Sequence, residues 1–145
     1  MSTVKFVKLR NNAVTPFQAS KYSAGYDLSA AIDEPILIPP HVTVKIGTGL
    51  AIQPPEGYFG AIFARSGLAT KEGLRPSNCV GICDEDYTGE YIIAIHNDSE
   101  EPRIIEPKQR IAQLIFLPYI KIDFQEVNEL SATDRNNKGF GSSGK

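Results

Sequence analysis

Four groups of residues in this chain have the side chains that chemistry needs. The densest is Asn78 through Glu90, in which an apolar stretch runs into Asp84-Glu85-Asp86 and then Tyr87-Thr88-Gly89. Such an order can hold one carboxylate at a pocket edge, ionised and able to orient or deprotonate water. A solvated acidic hairpin would look the same. Asn78 offers a donor and an acceptor, which suits the paired N–H and C=O of a pyrimidine edge. The second group is Arg65-Ser66-Gly67. A guanidinium, a hydroxyl and the free N–H groups of a helix start together make an anion site, although a surface turn beside an arginine is the plainer alternative. Gln113 is the third, a polar residue inside the apolar run Arg110–Ile115. Alternation favours an outward-facing side chain there over a ligand contact. The last is the tail from Arg135 to Gly144, where Phe140 stands between two glycines with Ser142 and Ser143 following. Glycines allow close backbone approach, hydroxyls suit phosphate oxygens, and the ring could lie on a planar base. A frayed terminus or a Gly-Ser linker has the same composition.

Composition narrows the partners. The 145 residues make one domain with a single sizeable core. A formal net charge of −2 gives no basic footprint for a nucleic-acid polymer, so a nucleotide would bind as a small molecule. No apolar run approaches the roughly 18 residues of a membrane span, and the polar start is no signal peptide, so a cytoplasmic location is expected. The two cysteines, Cys79 and Cys83, lack the further ligands of a zinc site and read as thiols in a reducing compartment. His41 and His96 stand in strand-like runs and are expected to face solvent.

The elements that must position these groups read as strands. Residues 41–46 and 120–125 alternate polar and apolar side chains. Residues 58–63 and 91–95 are short, β-branched and aromatic runs of the kind buried on both faces. Pro39-Pro40, Pro54-Pro55-Glu56-Gly57 and Asn97-Asp98-Ser99 supply turns between them. Ser66 to Gly73 is the exception, with about two turns of helix, Ser66 near its N-cap and Gly73 at its exit. The pattern points to an all-β barrel or double-sheet jelly roll, and the expectation is a jelly-roll-like β-barrel with one short helix over 1–134 and a flexible C-terminal arm over 135–145.

Taken in order, five segments resemble the five motifs of the trimeric dUTPase family. They are Ala24-Gly25-Tyr26-Asp27-Leu28, Arg65-Ser66-Gly67-Leu68-Ala69, Gly81 through Gly89, Arg110-Ile111-Ala112-Gln113-Leu114, and the tail from Arg135. The resemblance spans nearly the whole chain. It implies a homotrimer with shared active sites that hydrolyses dUTP to dUMP and pyrophosphate with Mg2+, limiting uracil in DNA and supplying dUMP for thymidylate synthesis. By the same resemblance Asp84 activates water, while Asn78 and the backbone near Gly81 read uracil. Tyr87 packs on deoxyribose, and Arg65, Ser66, Gly67 and Gln113 contact phosphates. Asp27 reaches the metal through water. Arg135, Phe140, Gly141, Ser142 and Ser143 close over a neighbouring site. A nuclear location would be expected instead if the source were eukaryotic or viral.

The chain departs from the family pattern in places. Asn136-Asn137-Lys138 replaces two arm glycines, Lys108-Gln109 stands where Gly-Asp is frequent, and Ala64 where proline is. None of these removes a group assigned to chemistry. One rival is a dCTP deaminase, which shares the expected fold, and assay of dCTP and dUTP for ammonia and pyrophosphate separates the two. The other is a nucleotide-gated module that regulates a protein partner, against which the full set of candidate catalytic groups speaks.

Overall fold

The computed structural model describes residues 3–78, 80–134 and 136–137. Ten strands and one helix follow in chain order: β1 (Lys5–Lys8), β2 (Tyr26–Ser29), β3 (Ile36–Ile38), β4 (Thr43–Gln53), β5 (Tyr58–Phe63), α1 (Ser66–Glu72), β6 (Leu74–Pro76), β7 (Gly81–Cys83), β8 (Glu90–Asn97), β9 (Arg103–Ile105) and β10 (Arg110–Pro118). They form two four-stranded antiparallel sheets, ordered β1-β4-β8-β6 and β2-β10-β5-β7, and a two-stranded sheet of β3 and β9.

The all-β class with one short helix matches the sequence pattern, but the barrel does not. Each sheet keeps two edges: β1 and β6 bound the first, β2 and β7 the second, and β3–β9 stands apart. Among the described residues no hydrogen-bonded ladder joins those edges, which closure of a barrel requires. The sheets instead share one core. Ile46, Leu50, Leu74 and Ile95 enter it from the first, Leu28, Ile111 and Leu114 from the second, and Ile38 and Ile105 from the small sheet.

Strand periodicity decides which side chains are covered. On β8, Tyr91, Ile93 and Ile95 point inward, while Ile92 is 52 % exposed, so this run is not buried on both faces as expected. On β5, Gly60, Ala61 and Ile62 are buried in succession, as expected of a strand covered on both sides. The first predicted strand begins later, at Thr43, because His41 takes φ 60° in the turn before it. Residues 120–125 form no strand, and Ile120, Ile122 and Phe124 are exposed. Among the described residues no neighbouring backbone pairs with that stretch.

Helix α1 lies where predicted, but Arg65 rather than Ser66 holds the N-cap, with no side-chain cap bond. Gly73 ends the helix at φ 70°, and its N–H bonds back to the carbonyl of Leu68. That left-handed exit turns the chain directly into β6.

Candidate functional site

Strand β10 assembles the first cluster. Gln113 lies opposite Asp27 of β2 on one side and Phe63 of β5 on the other. Three segments far apart in sequence therefore meet at one level of the second sheet. Asp27, the half-buried acid at that level, accepts from Arg65 Nε at 3.0 Å and from Arg110 Nη1 at 2.9 Å, one guanidinium to each oxygen. Arg65 also donates to the carbonyl of Arg110 at 3.1 Å. Two cations around one carboxylate leave a net positive cradle, and both guanidiniums keep part of their surface open.

Gln113 lies on the face of β10 away from the buried Ala112 and Leu114, as alternation favoured, and on that face it is half-buried within this cluster. Its Nε2 donates to the carbonyl of Ala64 at 2.8 Å. Gly25 lies against its Oε1, with no room for a Cβ. Ser66 and Gly67 follow Arg65 at the exposed start of α1, and a Cβ at Gly67 would meet nothing within 4 Å. Arg110 was absent from the site residues expected from sequence. Its signal was available: a cation opening an otherwise apolar strand, where the ladder with β2 shifts register.

The second cluster surrounds β7. Asn78 and Gly81 line a hollow of about 100 Å³ with Ile62, Pro76 and Ile92. Asp84 lies beyond the other end of β7, exposed, in a groove of about 530 Å³ with Phe59, Ile82, Glu85, Asp86, Tyr119 and Lys121. Tyr87 folds its ring over Gly89 and donates to the carbonyl of Glu90 at 2.9 Å. The Cys83 thiol is pushed up to about 11 by burial, with the Asp84 charge a smaller cause in the same direction. A thiol held neutral is a poor nucleophile. His41 is exposed as expected, His96 is mostly covered, and each lies near a carboxylate outside both clusters.

Within this chain Asp84 stands apart from the cradle, whereas Gly81 pairs with Ile62, only three residues before Arg65. Cys83 pairs with Gly60, and Arg65 lies five residues further along, roughly 16 Å at about 3.3 Å per residue. Among the described residues no group of three or more His, Cys, Asp or Glu side chains could hold a metal ion. Arg135, Phe140, Gly141, Ser142 and Ser143 lie outside the described residues, as do Cys79 and Lys138.

Comparison with known proteins matches residues 11–144 to the dUTPase family model. The chain is 43 % identical over 137 residues to the deoxyuridine 5'-triphosphate nucleotidohydrolase of Hydrogenobaculum sp., covering 94 % of each. It is 42 % identical over 142 residues to that of Desulfitobacterium hafniense, covering 97 % of this chain and 94 % of the relative. Among solved structures, the dUTPase of Staphylococcus bacteriophage 80alpha with dUPNHPP superposes over the full length of both chains, with a TM-score of 0.86 and 30 % identity. The chain belongs to the dUTPase family and is an enzyme of that family, a hydrolase that converts dUTP to dUMP.

Proposed function

We propose that the chain cleaves dUTP by attack of water at the α-phosphorus, releasing dUMP and pyrophosphate, with Asp84 as general base. The observation that carries this reading is the division of labour along β5. A cationic cradle follows its Phe63 end, beside β10 and β2, while β7 on its other edge runs from a small hollow beside Ile62 to an exposed carboxylate past Gly60. A deoxynucleoside triphosphate needs both, and a single chain keeps Asp84 apart from the cradle. The reading therefore includes a homotrimer in which one subunit's Arg65, Ser66, Gly67 and Gln113 meet phosphates while another's Asn78, Gly81, Asp84 and Tyr87 meet the nucleoside. Exposed Leu37, Ile92, Ile104 and Ile122 would be covered by such assembly.

Asn78 and the backbone at Gly81 would pair with the uracil edge, and cytosine would invert donor and acceptor there. The Tyr87 ring, set against Gly89 and tied to the Glu90 carbonyl, would crowd a 2′-hydroxyl. Residues 135–145 would form the arm that closes the site, with Phe140 on the base and Arg135, Gly141, Ser142 and Ser143 at the phosphates.

The described side chains fit a magnesium ion carried by the substrate's phosphates rather than one held by the protein alone, because each oxygen of Asp27 already accepts a guanidinium. Asp27 would reach such an ion through its water shell. When bound, the ion would neutralise phosphate charge. The enzyme would limit uracil in DNA and supply dUMP for thymidylate synthesis.

Pyrophosphate release from dUTP, UTP and dCTP tests this reading in the wild type and in Asp84→Asn. The amide keeps the shape but cannot take a proton, so turnover falls by about 10²–10⁴-fold while a dUTP analogue still binds. Turnover within a few-fold of wild type would remove Asp84 as the base, and comparable turnover of all three nucleotides would remove the specificity account.

A further inference from the structure

Asp84 is exposed, and the acid anchored next to it is Glu85. Glu85 Oε2 accepts from the Gly57 N–H at 3.0 Å and from the Tyr119 hydroxyl at 2.6 Å. The Tyr119 N–H in turn donates to the Gly57 carbonyl at 3.1 Å. Three separate segments thus close a ring of hydrogen bonds: the turn before β5, the residue after β10, and the acidic turn itself.

Two members of that ring, the turn at Gly57 and Tyr119, are themselves held. The turn before β5 is fixed by Tyr58 N–H donating to the Pro55 carbonyl at 3.0 Å, with Gly57 at φ 77°. Open space surrounds a Cβ at Gly57, so its left-handed backbone, not crowding, calls for glycine. The Tyr119 ring meets Phe59 edge-on, with centroids 6.4 Å apart at 74°. The acidic turn has only one short internal backbone bond across it, Tyr87 N–H to the Asp84 carbonyl at 3.1 Å.

We propose that Glu85 and Tyr119 are positioning residues for the reaction: by clamping the acidic turn to the ends of β5 and β10, they hold the Asp84 carboxylate where it meets the attacking water. This rests on the reading of Asp84 as general base. Neither residue touches the reacting atoms, and their effect passes through the backbone between Glu85 and Asp84. Misplacing a catalytic group by about 1 Å can cost about 10²-fold. Both donors converge on a single oxygen of Glu85, so a glutamine carbonyl at the same place can accept both.

Steady-state kinetics with dUTP, with thermal melting on the same samples, test the clamp in Glu85→Ala, Glu85→Gln, Tyr119→Phe and Glu85→Ala/Tyr119→Phe. Expected results are a kcat lower by roughly 10–100-fold in Glu85→Ala and by roughly 3–10-fold in Tyr119→Phe, with KM within about twofold of wild type. Glu85→Gln should retain kcat within about threefold, and the double variant should be no slower than Glu85→Ala, because one interaction is lost once. A role confined to stability would lower the melting temperature and leave kcat per folded molecule unchanged, which would overturn the proposal. So would a rise in KM at constant kcat, or equal losses in Glu85→Ala and Glu85→Gln. Should Glu85→Ala fail to fold, Tyr119→Phe against Glu85→Gln decides, since both preserve side-chain size. An active Asp84→Asn sinks the base assignment, whereas an inactive Asp84→Asn beside fully active clamp variants sinks the clamp alone.

Discussion

Among the three adjacent acids of the hairpin, Glu85 is anchored by two hydrogen bonds to one oxygen. The Tyr119 hydroxyl, followed by the Gly57 N–H, holds the Glu85 carboxyl below its ordinary value of 4.5. The same bond to Glu85 pushes the Tyr119 hydroxyl up to about 12. For Glu85, whose folded pKa is depressed, the contribution to stability is present above the unfolded value and lost as pH falls through the folded one. For Tyr119, whose folded pKa is raised, it is present below the ordinary value of 10 and lost as pH rises toward about 12. The stability gap between wild type and Tyr119→Phe should therefore be flat from about pH 5 to 9 and close at both extremes. Urea midpoints across pH would check this, and a gap that widened below pH 4 would contradict it.

At the scale of elements, the turn between β9 and β10 holds a residue that does not suit its backbone. Lys108 takes φ 64°, and its N–H donates to the Ala30 carbonyl at 2.9 Å while Ala30 N–H donates back to the Gln109 carbonyl at 2.8 Å. Those bonds fix the conformation whatever residue occupies it. A left-handed non-glycine residue costs roughly 1–2 kcal/mol, and glycine recovers that less roughly 0.5–1 kcal/mol of added unfolded-state entropy. Lys108→Gly should raise stability by up to about 1 kcal/mol, read as a higher denaturation midpoint with an unchanged denaturant slope. Any loss of stability would mean that the lysine side chain does more than endure the turn. Gly25 is the opposite case, since any side chain there must displace Gln113 from the cluster it shares with Asp27 and Arg65. Gly25→Ala should raise KM for dUTP several-fold, with a smaller effect on kcat, if Gln113 contacts phosphates as proposed.

At the scale of the molecule, the separation of Asp84 from the cationic cradle makes assembly the deciding variable. Light scattering should report a trimer with or without nucleotide, and a monomer active at assay concentrations would end the shared-site account. Deleting residues 135–145 should leave the trimer and its melting temperature essentially unchanged, because among the described residues the core ends at Leu114 with Phe116 packed against it. Turnover of dUTP by that truncated protein should collapse, and near-normal activity would reduce the arm to an inert end.

Strand identity was legible in the residues because period-2 patterning and Pro-Gly turns act locally, as β5 and the helix exit at Gly73 show. The order of the motifs also carried the family. Closure of a barrel was not legible, since whether two edges find each other depends on twist and register across the whole sheet rather than on any one strand. Nor could local pattern tell that residues 120–125 lack a partner strand, because alternation states a face and not what covers it. Gln113 turned toward the cluster, and Arg110 joined it, only because β10 runs between β2 and β5. The ring through Glu85, Gly57 and Tyr119 joins residues 28 and 34 positions apart, a distance at which sequence pattern has no say and only packing decides.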